Sequence, residues 1–282
     1  MIFDDAQPGP GAMERAWEKW KPTARYLMAV ETHAYAFSMA ANVLLSFFPF
    51  LIVMVSLCRY ALRWRAAEAT IFLALGEYFP DALGEFIRRN LRVTVDSRGP
   101  FQVVSVLLLM YTANGIFEPL EVALNRAWGI PANRSYIKNQ LISLLLILVC
   151  GAMGLASASA AARVAGENLA EGMSTLSYLV LKLALVPMLI LLLALVYWIL
   201  PNGKVPFWPN LPAAVAVGLL LEVFNYVYVA LWPWLREKLS LEYGPFVYSV
   251  TIILWGFLAS MVVLAGAERT ARGAAHHKDS GR

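Results

Sequence analysis

Residues 175–200, TLSYLVLKLALVPMLILLLALVYWIL, form a long apolar stretch that carries a single charged side chain, Lys182. A helix that crosses a bilayer needs roughly 20 consecutive, mostly apolar residues, and this stretch is long enough. Over the whole chain, 60% of the residues are hydrophobic and 15% are charged, whereas a soluble domain has about half and about a quarter. The stretch therefore predicts a membrane span, and the composition predicts that it is one of several.

Five further apolar runs are long enough to cross a bilayer. Together the predicted spans are 34–58, 100–117, 141–162, 175–200, 211–234 and 244–267. The second run is the shortest, so it either crosses the membrane or re-enters it. We predict an all-α polytopic membrane protein, with an amphipathic N-terminal segment at 1–33, one six-span membrane domain at 34–267 and a tail at 268–282.

Lys and Arg residues indicate the orientation of the spans. They are concentrated in the two tails and in the even-numbered loops, and they are few in the short odd-numbered loops. Positive charges collect on the cytoplasmic side of a membrane protein, so both termini are predicted to be cytoplasmic. Because the net charge of +4 lies in loops that border the spans, nucleic acid is not expected as a partner.

The loop between the first two spans, 59–98, carries a helical pattern of its own. After Pro80 its apolar residues recur at spacings of three and four, which places them on one face of a helix. These residues are Leu83, Phe86, Ile87 and Leu91. We predict an amphipathic helix that either lies on the membrane surface or packs against the protein's own spans.

The stretch ANGIFEPLEVALNRAWGIP, 113–131, places polar side chains where the second span ends. If one helix continues through Pro119, four of them fall within a sector of about 60°. These are Asn114, Glu118, Glu121 and Asn125. If Pro119 instead starts a new helix, only the last two stay aligned. The stripe is a structural feature, a cytoplasmic gate or substrate mouth, or a catalytic pair of acids.

Two charged residues lie inside predicted spans. Lys182 and Glu222 are about 11 and 15 Å from the outer ends of their spans, at 1.5 Å per residue. Charges at membrane depth are costly and usually have a partner or a function. We predict that they approach each other and, with Asn225, line an interior path; otherwise Lys182 snorkels outward and Glu222 is a buried packing acid.

Other features concern packing. Small residues recur every four positions in the third span at Gly154, Ala158 and Ala162, a pattern that allows two membrane helices to approach closely. Pro49 removes one backbone hydrogen bond from the first span and is predicted to kink it. Both features concern the packing of helices, and neither indicates a catalytic or ligand-binding group.

Several segments resemble the YihY/BrkB family of bacterial inner-membrane proteins. They are SFFPFLIVMVSL (46–57), VALNRAWGIP (122–131), YWILPNGKVPF (197–207) and YGPFVYSVTIILWGFLASMVVLAGAE (243–268). The most specific parts are LNRA (124–127), LPN (200–202) and GAE (266–268). One departure is Asn42, near which family members often carry an aromatic residue.

The resemblance implies a six-span protein of the inner membrane that supports envelope integrity. Its predicted function is the transport or translocation of an envelope component, with membrane lipids as partners and a lipidic or envelope-derived substrate. The alternative is a non-transporting scaffold for envelope assembly. An old family label, ribonuclease, is not expected to apply, because the three histidines, His33, His276 and His277, form no metal-binding motif. The protein is predicted to be no enzyme and to need neither metal nor cofactor.

Overall fold

The computed structural model of the protein describes residues 12–78, 81–96, 99–131, 134–169 and 175–279. Within these residues the chain is all-helical and forms nine α-helices, with a π-helical turn after the second and a 3₁₀ turn before the last. The helices are α1 (Ala12–Leu27), α2 (Val30–Ser56), α3 (Arg65–Tyr78), α4 (Asp81–Asp96), α5 (Pro100–Trp128), α6 (Tyr136–Leu169), α7 (Thr175–Ile199), α8 (Phe207–Tyr243) and α9 (Val247–Asp279).

Among the described residues, five helical segments are long and apolar enough to cross a membrane. They are Val30–Ala61, Gln102–Arg126, Tyr136–Ala156, Phe207–Tyr228 and Val247–Thr270. Each overlaps one of the predicted spans, with ends that differ by up to nine residues. The remaining predicted span, 175–200, coincides with α7, in which the shorter apolar segment Val186–Ile199 has been identified. The protein is a multi-pass membrane protein, and a count of exactly six spans stays a prediction.

The helices extend beyond the apolar runs from which they were predicted. The second predicted span ended at residue 117, but α5 continues to Trp128 with Pro119 inside it. Its 29 residues correspond to a length of about 43 Å, enough for a full crossing. The hydropathy pattern identifies only the apolar part of a helix. The helix itself extends further, because its backbone hydrogen bonds continue into polar sequence. Pro49 likewise lies inside α2, which runs on to Ser56.

Neighbouring helices define the bundle. The helices α5, α6, α7, α8 and α9 contact one another in chain order, α9 also contacts α5, and α2 packs against both α5 and α9. The α2–α9 crossing is close, because a Cβ atom on Gly256 would lie 3.3 Å from the Cα of Ala40. At the α2–α5 crossing, the amide of Asn42 fills the space beside Gly115. The small amide thus permits a close approach of the two helices.

The helices α3 and α4 pack on the end of α2 that is remote from α1. Ile87, Leu91 and Val95 of α4 are buried in a cluster that also includes Val55 of α2. Phe86 was predicted on the same face but is 61% exposed. The buried side of α4 follows Ile87, Leu91 and Val95, which are spaced by four, and this spacing leaves Phe86 off the contact.

Candidate functional site

The three short motifs meet at one end of the bundle. Leu124, Leu200 and Ala267 belong to the three motifs in turn, and all three are fully buried in the same hydrophobic cluster. The backbone N–H of Asn202 donates a hydrogen bond to Oδ1 of Asn125 at 2.8 Å. We call this end of the molecule, where these motifs lie, the motif end, and we call the opposite end, at α3 and α4, the far end.

The ends of the helices are fixed at this site by backbone geometry. The helix α5 stops at Gly129, which has a positive φ of 61°, a conformation that glycine adopts without steric cost. The N–H of Ile130 then closes the helix on the carbonyl of Asn125 at 2.9 Å. Further along the loop that follows α5, Arg134 donates to the carbonyl of Ile199 at 3.1 Å and also to the carbonyl of Pro201. The loop after α5 is therefore joined to the loop after α7.

The polar stripe of α5 is continuous, because the helix passes through Pro119. Asn114 donates to a carboxylate oxygen of exposed Glu118 at 2.9 Å, and Asn125 lies 3.5 Å from a carboxylate oxygen of Glu121. Glu121 is only 5% exposed, and its second carboxylate oxygen has no hydrogen-bond partner among the described residues. Asn139 of α6 donates to Asn114 at 3.3 Å. The stripe thus connects α5 with α6 and with the loop that holds Asn202.

The third motif fixes α9 against its neighbours. A Cβ atom on Gly266 would collide with Val217 and with the hydroxyl of Tyr197. Tyr197 is fully buried and donates to the carbonyl of Val263 at 2.8 Å. Because this hydroxyl passes directly over Gly266, glycine is required there by space and not by backbone conformation.

A cavity of about 770 Å³ lies at the motif end between α1, α2, α5 and α9. Arg126 and Glu268, each from one of the motifs, contribute to its lining. Arg126 pairs with Glu31 at 3.4 Å, and Glu268 pairs with Arg272 at 2.7 Å and accepts from Thr23 of α1 at 3.0 Å. We call it the motif cavity; its charges are largely paired within the protein.

The far end contains a cavity of a different kind. About 550 Å³ of space is bordered by side chains of α2, α3, α6, α8 and α9, and its lining is almost entirely apolar. Phe47, Ile71, Trp232 and Tyr248 contribute to the walls. A Cβ atom on Gly154 would meet nothing within 4 Å, so this glycine borders open space. This apolar cavity has the size and composition of a site for an apolar ligand.

A third space, about 890 Å³, lies between α3 and α4 and is lined by four arginines and two glutamates. We call it the basic groove. The helix α3 separates it from the apolar cavity, because Ile71 and Leu75 line the cavity whereas Glu68 and Phe72 line the groove. At about 100° per residue, the cavity-lining positions 70, 71 and 75 fall in one sector of α3, and the groove-lining positions 65, 68, 69, 72 and 73 fall in the other.

The charged pair predicted within the spans is only partly described. Lys182 lies outside the residues whose side chains the structure describes, so its approach to Glu222 stays a prediction. Glu222 is half-buried and Asn225 is exposed, and neither lines any of the three cavities. The small-residue row is likewise incomplete: Gly154 faces the apolar cavity, while the side chains of Ala158 and Ala162 lie outside the described residues.

Sequence reasoning did not identify Arg134, Asn139, Tyr197 or Arg272 as members of the site. All four bind partners from distant parts of the chain, so their spacing along the sequence contains no signal. The only indication for Tyr197 was its position at the start of YWILPNGKVPF (197–207), one of the segments that resemble the family. Among the described residues, no group of three or more His, Cys, Asp or Glu side chains is placed to hold a metal ion.

Residues 25–281 match the protein family described as virulence factor BrkB. Curated relatives include UPF0761 membrane proteins of Alcanivorax borkumensis, 26% identical over 68% of this chain and 45% of the relative, and of Acinetobacter baylyi, 26% identical over 71% and 47%. A shorter relative from Glaesserella parasuis is 24% identical over 67% of this chain and 68% of its own length. The chain spans about half the length of the first relatives it matches. No solved structure matches it.

Proposed function

Because the chain belongs to the BrkB family of membrane proteins, we propose that it translocates an amphiphilic component of the bacterial cell envelope, with lipids as the substrate class. The single observation that carries the proposal is the apolar cavity of about 550 Å³ at the far end. In this proposal the chain crosses the inner membrane six times with both termini in the cytoplasm. The motif end then faces the cytoplasm, and α4 lies at the outer surface of the membrane.

The apolar cavity supports binding of a hydrocarbon chain for a simple physical reason. An acyl chain that fills the cavity makes dispersion contacts with its walls, and such contacts are individually small but add up over many atoms. The walls include Tyr228, Trp232 and Tyr248, and such amphipathic rings are typical of the boundary between hydrocarbon and headgroups. The cavity therefore suits an acyl chain whose polar end stays near the far surface.

The motif end supplies the gate in this proposal. Glu121 and Asn125 are buried, and Asn125 is bonded to the loop that begins α8, so a path along α5 opens only when this bond breaks. Glu118 is exposed and forms the mouth. Lys182, Glu222 and Asn225 continue the path across the bundle. Each of these roles is a proposal that charge-neutralising substitution tests.

The first experiment blocks the cavity. Gly154→Trp places an indole ring in open space without displacing a neighbour at the Cβ position. The ring would occupy space that the acyl chain needs, and a loss of about 1.4 kcal/mol of contacts with the chain corresponds to about tenfold in affinity. We expect the variant to fold and to translocate NBD-labelled phosphatidylglycerol in proteoliposomes at least about tenfold more slowly. The matched control is Leu107→Trp, which adds the same ring at an exposed position of α5.

The outcomes separate transport from its main competitor. Equal rates for the two tryptophan variants and for protein-free vesicles would refute transport and favour a scaffold that acts through protein contacts. The scaffold has one observation in its favour, namely that Asn125 and Glu268 already have partners inside the protein. Under transport, Glu222→Gln is expected to abolish translocation while the protein remains folded; under the scaffold it should have little effect.

A further inference from the structure

We propose that the basic groove between α3 and α4 binds the phosphate group of an anionic lipid whose acyl chain occupies the apolar cavity. This inference rests on the proposed function and narrows it, since it names the headgroup chemistry of the substrate. The groove and the cavity are separated by the single helix α3, which with its side chains is about 10–12 Å wide. An acyl chain spans about half of a hydrocarbon core of about 30 Å, so one amphiphile is long enough to reach both spaces around this helix.

The arginines of the groove are not all neutralised by the protein. Arg59 is held by Glu68, with Nε 2.8 Å from a carboxylate oxygen, and by Asp96. Arg88 pairs with Glu85 at 3.0 Å. These pairs account for both carboxylates that line the groove. Two of its four arginines remain, and they determine what the groove can bind.

Arg65 and Arg92 are the two remaining cations. Arg65 is exposed and makes no ion pair with any residue that the structure describes. Arg92 is also exposed, and its guanidinium lies over the ring of Phe72 at 5.0 Å from the centroid. Stacking on a ring leaves the N–H groups at the edge of a guanidinium available for other acceptors. The groove thus presents two forks of N–H donors, and no carboxylate among the described side chains is paired with them.

This arrangement favours phosphate over other ligand chemistry. A guanidinium binds phosphate through two parallel N–H···O bonds, which are shorter and stronger than bonds between neutral groups. Leu73 and Phe72 line the groove beside the arginines, which suits a ligand whose phosphate is attached to an apolar body. An aromatic floor under Arg92 also holds the guanidinium in place and so lowers the entropy lost on binding.

The test uses the full chain in phosphatidylcholine nanodiscs that contain phosphatidic acid as a minor lipid, with native mass spectrometry of the lipids retained. We expect the wild type to retain phosphatidic acid in preference to phosphatidylcholine. The double variant Arg65→Gln, Arg92→Gln should lose at least about tenfold of this preference, and Arg92→Lys should keep part of it. The matched control is Arg89→Gln, which removes an exposed arginine of α4 that does not line the groove and should leave the preference unchanged.

Three results would overturn the inference. One is an equal loss in the Arg89→Gln control, which would mean that only the total charge of α4 matters. Another is unchanged preference in a folded double variant. A third is that the protein prefers no lipid and that glycerol 3-phosphate displaces phosphatidic acid completely. This result would identify a free phosphate compound as the ligand. If Gly154→Trp still reduces lipid retention in these cases, the headgroup assignment fails while the proposed function stands.

Discussion

The two ends of the bundle are built in opposite ways. At the motif end, hydrogen bonds join α5 and the loop after it to the loop after α7 and join α7 to α9. Leu124, Leu200 and Ala267 leave no exposed surface there. At the far end, α3 borders an apolar cavity on one side and, together with α4, a basic groove on the other. The motif end holds the helices in register around a cavity whose charges are largely paired, and in our proposal the far end provides the room for a ligand.

Glycine substitutions test this contrast most strongly. Gly266→Val places two methyl groups where Val217 and Tyr197 already lie, and overpacking of this kind costs about 1–3 kcal/mol. Gly154→Val at the far end meets open space and is expected to change stability by less than about 0.5 kcal/mol. Unfolding of both variants in detergent, followed by tryptophan fluorescence, measures the difference. Equal destabilisation would show that the far end is packed as tightly as the motif end.

The hydrogen bond between the loops comes next in expected size. Asn125→Leu removes the acceptor of the Asn202 N–H, and the loss of a partner for a buried polar group costs about 1–3 kcal/mol. Asn125→Asp keeps an acceptor at this position and should cost less. The test is the free energy of unfolding of the two variants. Identical values would mean that the hydrogen bond between Asn202 and Asn125 does not stabilise the loop.

Glu121 distinguishes a gate from a structural stripe. Glu121→Gln retains an oxygen that accepts from Asn125 and replaces a buried carboxyl group by an amide of the same shape, so its effect on unfolding should be below about 1 kcal/mol. If the stripe is a gate, translocation of NBD-labelled phosphatidylglycerol falls nonetheless. A variant that transports at the wild-type rate would assign the stripe a purely structural role. The control is Glu242→Gln, which makes the same change at an exposed position of α8 that lines none of the three cavities.

The smallest effect is expected at the rim of the motif cavity. Arg126 and Glu31 form an ion pair in which both side chains are largely exposed, at 77% and 72%. Exposed pairs contribute about 0–1 kcal/mol because water and salt screen them. Arg126→Gln should therefore leave the unfolding midpoint almost unchanged, and any small loss should vanish at high salt. A large loss that persists in salt would mean that Arg126 has a second, buried role.

Particular residues show how far the sequence could be interpreted. The spacing of Asn114, Glu118, Glu121 and Asn125 predicted a single stripe if α5 continued through Pro119, and the helix does continue. The motifs LNRA, LPN and GAE indicated family membership, which the family match confirms. Their meeting at one end could not be predicted, because contacts between Asn125 and Asn202 depend on how α5 and α7 pack. Tertiary packing also decides the surroundings of Gly154. The sequence predicts a packing role for this residue, whereas in the structure it borders the apolar cavity.

The sequence by itself determined that this is a multi-pass, all-helical membrane protein, because apolar length and charge placement act locally and need no partner to be recognised. It also located the polar stripe, since the period of a helix fixes which residues share a face. Only the tertiary structure decided which glycines face a neighbour and which face a cavity. Only the tertiary structure also showed that four arginines lie next to an apolar cavity. These arginines are spread over residues 59–92 and come together only when α3 and α4 pack against each other and against the end of α2.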